Sequence, residues 1–232
     1  MRIYSILCIN LVYISFLFIQ NLSFAQSTTI DSLSPNFIRK DYFVLDPNVK
    51  LIYESTFGET ESTTRIVGKD YVQEFIGSDF KMIQQVTSGS DHYSIISLEQ
   101  ELKILFMTAH SIKITYNEPA KIVSLPISKV NKTIWNGLEY TNEEEVDTIT
   151  ITSALIGNEV IETEAGKFDC IKLEYIITKS SGKINKYYEW RAPDVGLVQL
   201  TAEVDNKGFV GLMTKLLSID VIFFVLKEIR KF

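Results

Sequence analysis

Cysteine and histidine are scarce in this chain of 232 residues, which has two of each. Cys8 lies in an apolar N-terminal stretch and Cys170 is the only cysteine after it, so we expect no intramolecular disulfide. His92 and His110 are too far apart in sequence to show the spacing of a metal-binding motif. The sequence therefore excludes a small disulfide-rich module and predicts neither a metal site nor a cofactor.

Basic residues are fewer than acidic ones, 23 Lys and Arg against 29 Asp and Glu, and the net charge is −6. A protein that binds nucleic acid clusters Lys and Arg to neutralise phosphates. Here such a cluster is limited to the last residues, Lys227, Arg230 and Lys231. We expect no nucleic-acid partner.

Residues 1–25 have the pattern of a secretory signal peptide. Arg2 is the only charged residue among them, the stretch from Leu11 to Ile19 is almost wholly apolar, and Ser23 and Ala25 are the small residues expected before a cleavage site. A membrane anchor is the alternative, but the apolar stretch is shorter than the roughly 20 residues of a spanning helix. Cleavage removes Arg2 and changes the net charge from −6 to −7. We expect a periplasmic or extracellular mature protein with no transmembrane span.

The mature chain reads as a short polar linker, residues 26–40, followed by one domain, residues 41–220, and an apolar and basic C-terminal tail, residues 221–232. A chain of about 200 residues can bury a sufficient core without disulfides. The segment from Phe209 to Leu226 is ambiguous, because its apolar residues fit a helix as well as a strand. We favour a strand to about Ile219 and a tail that docks on the sheet; an amphipathic helix that binds a membrane surface is the alternative.

Apolar and polar residues alternate along most of the domain, which predicts strands with one buried face. Short polar spacers suit hairpins and leave no room for the helices of parallel units. We therefore predict a mainly β, antiparallel fold with little helix and ten to twelve strands. In the first half the expected strands are Leu51 to Phe57, Asp70 to Ile76, Phe80 to Val86, His92 to Leu98 and Leu102 to Met107, with a turn at 99–101.

The second half of the chain shows the same alternation more sharply. A strand from Val146 to Leu155 is followed by a turn at Gly157 and Asn158, and a hairpin at 179–182 joins Phe168–Thr178 to Ile184–Arg191. Pro193 cannot donate to a strand ladder, so we place it in a connection.

Several motifs resemble an uncharacterised family of bacterial envelope proteins, domains of unknown function with a curved, half-open antiparallel barrel like that of the periplasmic lipoprotein-carrier proteins. The resemblance covers roughly residues 41–220, and its best motifs are Ala165-Gly166-Lys167-Phe168-Asp169-Cys170 and Ala192-Pro193-Asp194-Val195-Gly196-Leu197-Val198. Asn48 stands where the family has a glycine. The resemblance implies a fold and an envelope location, because both motifs are structural; fold alone does not fix function.

Aromatic residues supply the candidate ligand site. A half-open barrel either fills its concave face with side chains or keeps a cleft for an apolar ligand. The residues expected to line that face are Tyr53, Trp135, Tyr175, Tyr188 and Trp190.

No catalytic constellation is evident. Cys170 has no histidine near it in sequence, and His92 and His110 read as ordinary turn or strand-end residues. We expect a non-enzymatic exported protein that binds a hydrophobic, lipid-like molecule or an envelope component. The alternative is a structural or adhesive surface module, and a hydrolase is a third hypothesis.

Overall fold

The computed structural model describes residues 42–104, 107–203 and 221–232. Within these ranges the chain forms twelve strands and no α-helix. They are β1 (Val49–Ser55), β2 (Gly58–Val67), β3 (Asp70–Gly77), β4 (Phe80–Ser88), β5 (His92–Ile104), β6 (Met107–Ser124), β7 (Thr133–Thr141), β8 (Glu145–Thr163), β9 (Gly166–Lys179), β10 (Ile184–Ala192), β11 (Gly196–Glu203) and β12 (Val221–Lys231). The signal peptide and the linker predicted for residues 1–40 lie outside the described residues.

The strands form one closed antiparallel barrel in which each strand pairs with its neighbours in sequence. This confirms the mainly β, antiparallel class with little helix. The barrel is closed rather than half-open because β12 pairs with β11 on one side and with β1 on the other. Residues 221–232, expected to be an apolar and basic tail that docks on the sheet, instead supply its closing strand over Val221–Lys231.

Two predicted turns are absent because the strands around them continue. Residues 99–101 lie inside β5, where Leu98 and Gln100 stand opposite Ile114 and Ile112 of β6. Gly157 lies at a β-bulge between the two halves of β8 instead of in a turn. A glycine within a strand pattern is compatible with either feature, and here the pairing of β8 with β9 continues to Thr163.

Strand β6 leaves β7 halfway along its length. It pairs with β7 over Ile114–Tyr116 and then bulges at residues 116–119 before it resumes pairing with β5 at Ala120. Pro119 in this bulge cannot donate a hydrogen bond to a ladder. Side chains bridge the resulting seam: the Leu138 amide donates to Asn117 Oδ1 at 2.7 Å, and the Ser124 amide donates to Thr133 Oγ1 at 2.8 Å.

The buried apolar side chains form two clusters. The first joins strands β4 to β9 and includes Val86, Trp135, Ile151 and Tyr175. The second lies mainly on β1, β3 and β10 to β12, with Phe80 of β4, and also contains Tyr53, Phe75, Phe224 and Leu226. The chain before β1 joins the first cluster, because Phe43 is buried there with its ring centroid 4.9 Å from that of Tyr93.

The turn between β10 and β11 requires residues that tolerate a left-handed backbone. Asp194 and Gly196 both adopt positive φ angles, 60° and 87°. Glycine adopts this conformation at low cost, whereas aspartate is among the few other residues that tolerate it. Pro193 lies in the connection, as predicted.

Candidate functional site

The candidate site is a cleft at one end of the barrel, under the loop that joins β6 to β7. Its volume is about 330 Å³. The loop, residues 125–132, covers the cleft, and β8, β9 and the end of β6 form its floor. The lining residues are Val123, Ser124, Leu125, Pro126, Ile127, Ser128, Asn131, Lys132, Thr133, Ser153, Ala154, Leu155 and Leu173.

Apolar side chains form the floor of this cleft. Leu155 and Leu173 stand opposite each other on β8 and β9, and both are buried, as is Val123 at the end of β6. Ile127 reaches into the same apolar cluster from the loop. A molecule that enters the cleft therefore meets an apolar surface.

Hydrogen bonds order both the loop and the strands below it. The Asn131 amide donates to Ser128 Oγ at 3.1 Å, which closes a turn within the loop. Ser153 Oγ donates to the Ile122 carbonyl and so fastens β8 to the end of β6. The Leu125–Pro126 peptide bond is cis.

The centre of the barrel holds a buried ion pair. Arg191 Nε donates to Glu189 Oε2 at 2.7 Å, and the Tyr175 hydroxyl donates to the same oxygen at 3.0 Å. Arg191 also donates to the Tyr42 carbonyl, and its guanidinium lies 4.4 Å from the centroid of the Phe43 ring. Arg191 therefore connects the barrel wall to the chain segment that precedes β1.

Burial changes the acid–base properties of this region. Burial raises the pKa of Tyr53, Tyr93, Tyr175 and Tyr187 above the usual value for a phenol. Burial opposes the charge of Arg191, but the adjacent Glu189 carboxylate, with the tyrosines around it, holds the pKa of the guanidinium above its ordinary value. At neutral pH the tyrosines are therefore neutral and Arg191 is charged.

The predicted aromatic residues do not share one face. Tyr53, Trp135, Tyr175 and Trp190 are buried members of the two apolar clusters, and Tyr188 packs against the second. Tyr175 stands opposite Tyr187, and their rings stack with centroids 4.5 Å apart. Because side chains alternate along a strand, Tyr188 and Trp190 point to the other face of β10. Tyr188 and Trp190 therefore do not share the face of Tyr175, and none of the five residues expected to line a concave face lines the cleft.

The outer pair of aromatics packs against charged side chains. The Lys172 ammonium lies 4.5 Å from the ring centroid of Trp190 and 5.4 Å from that of Tyr188. Glu159 accepts hydrogen bonds from Lys172 Nζ and from Trp190 Nε1. These contacts satisfy the indole N–H of Trp190 and join β8 and β9 to β10 on this face.

Sequence reasoning missed the ionic residues of the interior. Glu189 and Arg191 both lie on β10. Glu139 of β7 and Lys179 of β9 form a second ion pair, in which the carboxylate is buried. A charged residue at an inward position of an alternating strand was the available signal. It could not be used without the register that defines which face is inward.

The candidate nucleophile is in an unreactive environment. Cys170 is buried, and burial together with the nearby Asp169 and Glu159 carboxylates raises its pKa to about 12. The thiol is therefore protonated at neutral pH, whereas nucleophilic attack needs the thiolate. His92 Nδ1 lies 2.7 Å from Asp91 Oδ1 in a turn, and the side chain of His110 lies outside the described residues. In the described ranges no group of His, Cys, Asp and Glu residues is arranged to hold a metal ion.

The comparisons with known proteins agree with the expected resemblance. Residues 112–214 match the model of the DUF3108-like family. This segment runs from β6 into the chain after β11 and includes the cleft. The match confirms the resemblance to a family of domains of unknown function. No curated protein matches the chain.

Three solved structures are similar to this chain over most of its length. One is a provisionally assigned lipoprotein from Parabacteroides distasonis, with 17% identity, a TM-score of 0.40, and coverage of 85% of this chain and 100% of that one. A provisionally assigned exported protein with a YmcC-like fold from Bacteroides fragilis shows 13% identity, a TM-score of 0.42, and coverage of 82% and 99%. The hypothetical lipoprotein YmcC from Escherichia coli shows 9% identity, a TM-score of 0.43, and coverage of 79% and 85%.

The described residues contain no helix that is long and apolar enough to cross a bilayer.

Proposed function

We propose that this is an exported, non-enzymatic protein of the bacterial envelope that binds a hydrophobic ligand in the cleft between the 125–132 loop and strands β8 and β9. The observation that carries the proposal is the cleft itself, about 330 Å³ with an apolar floor. Ligand pockets are typically of this size and are lined mainly by apolar side chains, with a few polar groups that orient the ligand.

The packing of the barrel interior supports the end cleft as the binding site. Tyr53 and Tyr175, expected to line a concave binding face, are almost fully buried against other side chains. The stacked ring of Tyr187 and the Arg191–Glu189 pair occupy the space beside Tyr175. A ligand there would have to displace buried aromatic and charged groups, which is costly.

The sequence supports export, and the chemistry of Cys170 supports a non-enzymatic role. Residues 1–25 have the features of a secretory signal peptide, which directs a chain out of the cytoplasm. The buried, protonated thiol of Cys170 is a packing group in the second apolar cluster.

A titration with decanol, a neutral apolar probe, tests the proposal. Decanol should bind, and each methylene added from octanol to decanol should raise the affinity about fourfold, which corresponds to about 0.8 kcal/mol per buried methylene. Asn131→Trp should weaken binding because Asn131 lines the cleft from the loop. Val130→Trp is the matched control, since Val130 is exposed next to it and does not line the cleft, and this variant should bind like the unaltered protein. Absence of binding, or equal effects of both variants, would contradict the proposal.

A second candidate function, a structural or adhesive module, is favoured by the outer face of β7 and β8. Ile134, Leu138 and Val146 are exposed there, and their neighbours on that face are threonine, asparagine and tyrosine. Ile184 extends the uncharged surface through Thr178 of β9. Uncharged surfaces with exposed apolar residues are typical of interaction sites. Ile134→Lys with Ile184→Lys should then abolish surface adhesion and leave decanol binding unchanged.

A further inference from the structure

We infer that the cleft is selective for amphiphiles with an anionic head group, and that Lys132 provides the selectivity. This inference rests on the proposed function, because it names the class of ligand for the same cleft. The apolar chain would lie on Leu155 and Leu173, and a carboxylate or phosphate head would lie at the rim beside the Lys132 ammonium.

The cleft is lined by one positive charge and no negative charge. Lys132 is the one charged residue among the lining residues, and no aspartate or glutamate is among them. The other polar lining groups are the neutral side chains of Ser124, Ser128, Asn131, Thr133 and Ser153. An anionic head group would therefore meet one positive charge and no negative charge at this rim, although the whole chain is acidic.

The second step is that Lys132 is free to pair with a ligand. In the described part of the chain neither Lys132 nor Lys129, on the same loop, forms an ion pair. Seven of the fifteen lysines in the described residues instead pair with carboxylates within the protein: Lys50, Lys103, Lys113, Lys172, Lys179, Lys186 and Lys227. An unpaired lysine at the edge of an apolar cleft provides three hydrogen-bond donors on a flexible stem for an oxygen anion.

The size of the effect follows from the exposure of Lys132. Its side chain is exposed to solvent, so an ion pair with a head group would be screened by water and contributes modestly. We expect decanoate to bind about fivefold more tightly than decanol at low ionic strength. The preference should shrink as salt is added, because salt screens exposed charges.

The test compares decanoate with decanol by displacement of a fluorescent apolar probe, in the unaltered protein and in two variants. Lys132→Gln should abolish the preference for decanoate and leave decanol binding unchanged. Lys129→Gln is the matched control, since Lys129 is exposed on the same loop but does not line the cleft. It should keep most of the preference.

Each other outcome has a defined meaning. Equal affinities for decanoate and decanol would overturn the inference while the proposed function stands, and failure of both probes to bind would overturn both. A preference for decanoate that survives Lys132→Gln, or that falls equally in both variants, would contradict the role of Lys132. Such a preference would come from the electrostatic field of the whole protein. Inorganic phosphate that binds with the same dependence on Lys132 would identify a site for free anions and contradict the amphiphile.

Discussion

At the scale of single residues, the interior of this barrel is unusual because it contains charge. Arg191 and Glu189 are both buried. Arg191 Nε and the Tyr175 hydroxyl donate to the same oxygen of the Glu189 carboxylate. Moving two charges out of water is costly, and their attraction compensates only while both are present. Removal of either residue therefore destabilises the fold mainly because it leaves the other charge buried without a partner.

A double-mutant cycle measures this dependence. Glu189→Leu and Arg191→Met should each lower the free energy of unfolding by about 3 to 5 kcal/mol, because each leaves an unpaired buried charge. The double variant should be more stable than the sum of the two losses predicts, by at least about 1 kcal/mol. Urea unfolding followed by circular dichroism provides the values.

The exposed pair of Lys227 and Glu59, 2.8 Å apart, is the matched control for that cycle. Glu59→Gln should change the free energy of unfolding far less than either variant of the buried pair, because solvent screens this pair. If the losses in free energy of unfolding from Glu189→Leu and Arg191→Met simply add in the double variant, the two buried charges do not stabilise each other, which would contradict this account.

At the scale of strands, sequence periodicity predicted most elements and failed where a local signal had two meanings. The β9–β10 hairpin, with its turn at 179–182, lies where alternation placed it. The residues at 99–101 and at Gly157 carried turn signals, but pairing with the neighbouring strand continued through them. The sequence also did not define the register between β9 and β10. That register places Tyr187, rather than Tyr188, opposite Tyr175.

The seam between β6 and β7 yields a prediction at this scale. Asn117→Ala removes the acceptor for the Leu138 amide and should lower the free energy of unfolding by about 1 kcal/mol. Hydrogen exchange at the Leu138 amide should accelerate, and nuclear magnetic resonance can follow it. Asn117→Asp keeps the acceptor oxygen and should preserve slow exchange. An unchanged exchange rate in Asn117→Ala would show that the side chain does not close the seam.

At the scale of the whole molecule, closure of the barrel depends on the last strand. The mainly β class was readable because alternation is a local property, whereas closure requires β1 and β12, from opposite ends of the domain, to meet. The apolar and basic composition of residues 221–232 suggested a tail, and only the pairing of Phe224 with Ser55 and Leu200 identifies a strand. The end cleft was not predicted either, since the loop and strands that form it are brought together by the fold.

Removal of residues 221–232 should therefore expose the edges of β1 and β11. Unpaired strand edges promote association with other chains. The truncated protein should aggregate or elute as large oligomers in size-exclusion chromatography, while a variant that lacks only Phe232 should behave like the full chain. A monomeric, folded truncation product would contradict the closed barrel.

The buried tyrosines predict the response of the whole molecule to alkaline pH. Phenols of an unfolded chain ionise near pH 10, whereas the raised pKa values of Tyr53, Tyr93, Tyr175 and Tyr187 keep them protonated in the folded state. The folded state then retains protons that the unfolded state releases, so the free energy of unfolding must fall as the pH rises above about 10.

Each such tyrosine contributes a loss of about 1.4 kcal/mol per pH unit in that range. Urea midpoints measured from pH 8 to pH 11 should fall steeply above pH 10, and Tyr187→Phe should reduce the slope. Midpoints that stay level up to pH 11 would contradict the burial of these phenols.

The most direct test of the account is to locate a bound apolar molecule by nuclear magnetic resonance, with decanol titrated into the isotopically labelled protein. If the cleft is the binding site, the resonances of Leu155, Leu173 and Ile127 should shift together and show contacts to the alkyl chain. Contacts to Tyr175 and Tyr187 in the barrel centre, with the cleft resonances unmoved, would contradict it.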